Sequence, residues 1–364
     1  MPPVKDLLVS TGYRLAWKVI CRVPESWARW GFDTATGIAW RRQGHGVQTL
    51  ENNLLRVLGP ETTGKELRRA SRAGMRSYGR YWMEVFRLPT ITPEQIQRDM
   101  LVNPDGEQAL ADAVAGQGVI FALPHMGNWE VAGAFVVGRG IKFTTVAERL
   151  KPESVFDMFV AFRESLGMEV LPLGAPSVFG VLAQRLRAGH MVCLLCDRDL
   201  TESGVEVDFF GEKARMAAGP AALAIQTKAS LRAVTLYFTD GGWAADVSPD
   251  IPVPAEGTRK QKAAVMTQQL ATAFEQGISD HPQDWHMLQR VFSSDLDPRR
   301  LPAANSGINQ VVNSAGSPAG NGGLCASASS APTPGTFPAA SSPTSAAAAR
   351  CRSASTSIDR HANR

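Results

Sequence analysis

The chain has 364 residues, 44% of them hydrophobic, which is enough to bury a sizeable core; the length suits two domains or one large domain with additions. Its net charge is +4, and four Arg against one Asp in residues 301–364 supply most of it, so the body is near neutral and does not fit a dedicated nucleic-acid binder. No apolar run reaches the ~18 residues of a transmembrane helix, the start carries no signal-peptide pattern, and five Cys make no disulfide framework, so the chain reads as cytoplasmic.

In chain order, residues 1–115 read as helical. Apolar spacing predicts helices over 5–21, 27–42, 47–58 and 64–86, interrupted at Pro24 and at Gly59-Pro60 and closed by Pro89 and Pro93. Trp17, Trp27, Trp30 and Trp40 fall in the first 40 residues, among Arg14, Lys18, Arg22, Arg29, Arg41 and Arg42. Aromatic and basic residues on amphipathic helices suit an anionic membrane surface; an ordinary helical layer with Trp in its core has the same composition. From 116 to 296 the pattern alternates. Strands are expected at 118–123, 143–147, 169–173 and 191–196, helices at 128–138, 153–166, 177–188, 217–228 and 259–276, and a hairpin at 231–238 and 243–247 around Asp240-Gly241-Gly242. This predicts an α/β fold, a central mostly mixed sheet flanked by helices behind the N-terminal helical layer. Cys193 and Cys196 sit three apart in a strand, hence on opposite faces, and read as buried, reduced thiols rather than metal ligands. Residues 297–364 form the remaining segment; from 301 onward 39 of 64 residues are Ala, Ser, Gly or Pro, a composition that predicts disorder.

The chemistry concentrates in Pro124-His125-Met126-Gly127-Asn128-Trp129-Glu130, directly after the strand at 118–123. His125 in the turn and Glu130 in the first helical turn can converge, because helical side chains tilt toward the N-terminus. Neutral His125 would then act as a general base, with Glu130 fixing its tautomer. No G-x-S-x-G nucleophile is present, so the attacking group would be the substrate hydroxyl itself. A His ahead of a helix also serves as a cap or a core hydrogen bonder, and the spacing alone does not separate these readings. No second His lies nearby to make a metal site, since His190, His281 and His286 are scattered.

The motif, together with Ser77–Trp82, Val146–Ser154, Phe162–Gly167, Asp197–Thr201, Gly204–Glu212 and Asp284–Leu288, resembles the bacterial lipid A biosynthesis acyltransferase superfamily, and within it the actinobacterial phosphatidylinositol mannoside acyltransferases. The likeness spans roughly residues 1–296. It implies a glycerolipid acyltransferase-like fold and transfer of a palmitoyl group from acyl-CoA, as co-substrate and with no cofactor, to the 6-hydroxyl of a mannose on phosphatidylinositol mannoside. The protein is expected to be a monomer, peripheral on the cytoplasmic face of the membrane. His125 and Glu130 match the catalytic pair; Glu148 and Arg163 match charged positions around the cleft; Arg149, Asp197 and Asp199 complete the expected substrate-binding set. Asp197 stands where relatives carry Glu, which shortens its reach and leaves open whether it touches His125. Read physically, Arg163 could hold a phosphate or the thioester oxyanion, or pair within its helix; Lys213 and Arg215 could meet a phosphate or remain solvated. Met158, Phe159 and Phe162 could line an acyl tunnel, although their spacing equally suits core packing. Another lipid acceptor, such as a lysophospholipid or lipid A-type sugar, and a catalytically silent lipid-binding protein are the alternatives.

Overall fold

Val119–Leu123 is apolar throughout, and every residue of it is buried, as expected of a strand covered on both faces. In the computed structural model, which describes residues 12, 15–148, 153–175, 177–199, 201 and 203–296, this strand (β2) lies at the centre of a seven-stranded sheet. The order is β1 (Met100–Val102), β9 (Trp243–Val247), β8 (Ser230–Phe238), β2, β5 (Met191–Leu195), β3 (Phe143–Ala147) and β4 (Glu169–Pro172). All neighbouring pairs are parallel except the β8–β9 hairpin. A separate antiparallel hairpin joins β6 (Val205–Phe209) to β7 (Glu212–Met216).

Side chains along β2 alternate between two cores. Val119, Phe121 and Leu123 enter one with helix α6 (Trp129–Gly138), α7 (Glu153–Ser165) and β1; Ile120 and Ala122 enter the other with α8 (Val178–Arg187), α9 (Gly219–Thr227) and α10 (Arg259–Asp280). The N-terminal layer contains α1 (Glu25–Arg42), α2 (His45–Leu58) and α3 (Gly64–Arg87), followed by the short α4 (Pro93–Asp99) and α5 (Pro104–Val114). A Thr63–Glu66 capping box starts α3. Where α1 crosses α3, Gly79 has no room for a side chain: a Cβ would lie 2.8 Å from Thr36 Cγ2.

The expected strands and helices of 116–296 are present, with ends shifted by a few residues. Two elements depart from expectation. Strand β1 falls inside the segment read as wholly helical, because three residues between α4 and α5 are too few to show a period and are recruited by pairing with β9. The β6–β7 hairpin was not expected; it turns at Phe210-Gly211, both with positive φ, a two-residue turn without the usual Asn-Gly or Asp-Gly signature. The segment 297–364 and most of residues 1–14 lie outside the described residues. Among the described residues no helix is long and apolar enough to cross a membrane.

Candidate active site

Parallel strands β2, β5 and β3 end on the same side of the sheet, so the residues after them share one rim: His125 after β2, Asp197 after β5 and Glu148 after β3. His125 Nδ1 lies 2.6 Å from Asp197 Oδ1, and the His125 backbone N–H donates to Asp197 Oδ2 at 2.9 Å. Asp197 is fully buried, and the buried Trp285 indole N–H also donates to its Oδ2 at 3.1 Å. A carboxylate held by three donors accepts only, so the imidazole proton sits on Nδ1 and Nε2 keeps a free lone pair. The His125 side chain remains 39% exposed.

Charge and geometry agree. Burial works against protonating His125, but the charge and hydrogen bond of Asp197 outweigh it and, with Glu148, hold the imidazole pKa above its ordinary 6.5, while Arg198 opposes them. Burial likewise tends to raise the Asp197 pKa, and its bonds to His125 and Trp285 bring it below 3.8. The ring of His286 goes the other way: burial, with the charge of His125, pushes it down to about 3, so it stays neutral.

Glu130 does not serve His125. Its carboxylate accepts from Arg163 Nε (2.9 and 3.1 Å) and from Nη2, and the Glu130 side chain is only 2% exposed. The helical tilt was sound, but a guanidinium arriving from α7 satisfies this carboxylate, while β5 delivers a nearer one to the imidazole. Arg163 is therefore committed to Glu130 rather than held open for an oxyanion. Asp197 contacts His125 rather than substrate, since none of it reaches solvent. Asp199 is spent on its own turn, accepting from Thr201 N (2.8 Å) and Ser203 Oγ (3.2 Å). Glu148 is exposed on the rim, and Arg149 lies outside the described residues. Lys213 pairs with Asp208 across the β6–β7 hairpin, and buried Arg215 donates to the Gly204 and Thr201 carbonyls, so neither stands free for a phosphate.

Several supports were not visible in the motif. Asn128 caps α6 by accepting from Glu130 N and Val131 N, and its amide donates to buried Glu84, which also takes the Trp243 indole N–H at 2.7 Å. Gly127, at φ +61°, leaves no space for a Cβ, which would lie 2.5 Å from the Leu236 carbonyl oxygen. The segment Asp284-Trp285-His286 straps the loop: Asp284 O accepts from Gly127 N, and His286 N donates to His125 O at 2.8 Å. Asp284 is itself held by Ser77 Oγ (2.6 Å) and Phe238 N (3.1 Å). The resemblance to the family already included Asp284–Leu288, which was the available signal.

A cavity of about 90 Å³ runs through the first core. Trp129, Glu130, Arg163 and Leu195 line the end near the rim, and Met100, Val102, Gly106 and Leu110 line other parts; the ion pair is the only charge among the described residues of its wall. Met158 and Phe162 are instead buried in the core and Phe159 packs against it; none of the three lines the cavity. Cys193 lines the cavity and Cys196 is buried in the opposite core; both are free thiols whose pKa burial pushes up.

Residues 8–294 match the family described as Bacterial lipid A biosynthesis acyltransferase. The chain is similar to the phosphatidylinositol mannoside acyltransferase of Mycobacterium tuberculosis, 46% identical over 293 residues, covering 79% of this chain and 90% of that protein. It is also similar to the phosphatidylinositol mannoside acyltransferase of Mycolicibacterium smegmatis, 42% identical over 303 residues, covering 82% and 96% of the two chains. With the match spanning the helical layer, the sheet and the His125 rim, the chain belongs to the bacterial lipid A biosynthesis acyltransferase family.

Proposed function

We propose that this acyltransferase moves a palmitoyl chain from acyl-CoA to the 6-hydroxyl of a mannose on phosphatidylinositol mannoside. The observation that carries the mechanism is the bond from His125 Nδ1 to buried Asp197, which leaves Nε2 for the substrate, on the same side of the sheet where Leu123, Trp129 and Leu195 line an apolar cavity. The acyl chain enters the cavity from the rim, widening it to take the sixteen carbons, and keeps its thioester at the rim. His125 Nε2 takes the hydroxyl proton, the oxygen attacks the thioester carbonyl, and the carbon–sulfur bond breaks. The CoA thiolate leaves with the proton returned by the imidazolium, which Asp197 steadies. Transfer is direct, and the Glu130–Arg163 pair shapes the cavity wall without joining the proton transfer.

The acceptor class follows the relatives' names. Membrane attachment follows α1. Trp27 and Trp30 are 70% and 71% exposed, and with Ile38 they share one face of α1, which also carries the exposed Arg41. The other two N-terminal tryptophans have structural work: Trp17 packs on Phe86 and Phe162, and Trp40 donates to Ser71 beneath Arg68.

The test is mass spectrometry of the lipids formed by the purified chain from palmitoyl-CoA and mono- or dimannosylated phosphatidylinositol. One palmitoyl group on a mannose 6-oxygen is the expected product. Acylation of a lysophospholipid alone, or an acylated protein side chain that accumulates during turnover, would refute the proposal.

A further inference from the structure

We propose that Arg198 binds a phosphate ester of the substrates at the rim beside His125, an assignment that rests on the reading just given. Strand β5 lies between β2 and β3, so Arg198, just past its end, is flanked by the His125 loop and by Glu148. The half-buried guanidinium is held by one edge: Nε donates to the Arg290 carbonyl at 3.0 Å. Its two Nη groups have no acceptor among the described residues, and no described carboxylate comes within ion-pair distance.

This sets Arg198 apart from the other described arginines that are not exposed. Six of them meet a carboxylate, as Arg56 meets Glu212 and Asp295, Arg163 meets Glu130, and Arg185 meets Glu169. Arg87 and Arg215 end on backbone carbonyls through their Nη groups. A guanidinium kept partly out of water without a paired anion is destabilising unless an anion arrives. Glu148, Asp197 and Asp199 are close enough to hold the cation by charge but leave its hydrogen-bonding fork open.

An open fork matches two oxygens of a phosphate. Both substrates carry one. The acceptor has a phosphodiester an inositol ring and a mannose ring away from the reacting hydroxyl; the donor has the phosphates of CoA beyond the pantetheine arm. The shared chemistry is the phosphate ester, and the source is separable by experiment.

Full-length wild type, R198Q and R198K would be compared with palmitoyl-CoA and two acceptors, dimannosylated phosphatidylinositol and a phosphate-free alkyl α-mannoside. If the acceptor phosphate is bound, R198Q raises the KM of the phosphorylated acceptor about tenfold or more and leaves that of the alkyl mannoside within about twofold. If the donor phosphate is bound, the KM of palmitoyl-CoA rises by that factor with either acceptor. R198K recovers part of either loss, and all three proteins melt alike. In parallel, calorimetric binding of CoA and of glycerophosphoinositol needs no turnover: one of them binds R198Q about tenfold or more weakly. Unchanged binding of both ligands, or a loss of kcat alone that is equal on both acceptors, overturns the assignment. A wild type that acylates neither mannoside refutes the acceptor reading instead, and the binding comparison still decides Arg198.

Discussion

His125 and Asp197 are bonded through both the ring and the backbone, so the carboxylate sets tautomer, orientation and charge together. Replacing His125 by Ala removes the base and is expected to lower kcat/KM by about 10³-fold or more; Asp197→Asn, with the wrong tautomer available, by about 10²–10⁴-fold. The sign of the pH effect follows. Activity needs the unprotonated ring, and Asp197 raises its pKa, so the acid limb of kcat/KM in wild type has its midpoint above 6.5. Residual activity of Asp197→Asn should show a midpoint displaced to lower pH, read from pH–rate profiles of both proteins. Glu130 calls for a different expectation. Glu130→Ala strands a largely buried Arg163 and is expected to destabilise the fold by about 3–5 kcal/mol, whereas Glu130→Gln with Arg163→Met recovers most of that loss, as measured by urea unfolding. A fully stable Glu130→Ala protein that lacks transfer would return Glu130 to the chemistry.

At the scale of elements, α1 presents aromatic groups to solvent while α2 and α3 pack their apolar residues around Leu50 and Leu54. Exposed Trp at helix spacing, on a face that also carries an arginine, is the pattern of a helix lying in a lipid interface. Trp27→Ser with Trp30→Ser should weaken binding to phosphatidylinositol-containing vesicles by roughly tenfold, and added salt should weaken wild-type binding, both measured by flotation. Vesicle binding equal to wild type in this double variant would place the membrane contact elsewhere. Strands β2, β5 and β3 matter by their ends: parallel pairing in adjacent positions is what brings a turn, a carboxylate and a rim acid together from three distant stretches of chain.

For the whole molecule, the sheet divides two unequal tasks. The face carrying Ile120 and Ala122 packs a core in which Trp285, Phe274, Phe209 and Phe292 are fully buried. The face carrying Phe121 and Leu123 leaves the cavity. If that cavity holds the acyl chain, its walls set the length accepted. Leu110→Trp should lower the preference for palmitoyl-CoA over lauroyl-CoA by roughly tenfold or more in a competition assay, at a stability cost of about 1–3 kcal/mol. An unaltered preference in a folded variant would remove the cavity from the acyl path.

The amino-acid sequence by itself determined the alternating β and α elements, the H-x-x-x-x-E loop after β2 and the helical N-terminal segments, because these follow from period, turn chemistry and capping within a dozen residues. It also showed Asp197 after a buried strand, yet could not join it to His125, 72 residues away. That contact depends on β5 pairing beside β2, a long-range choice made by burial of the whole sheet. The same holds for Arg163 reaching Glu130 from α7, for Trp285 bonding to Asp197, and for the split of four tryptophans into two buried or half-buried and two exposed. Local pattern names candidate groups, but which carboxylate holds the imidazole is settled by strand order and by the competition of nearby cations for each anion.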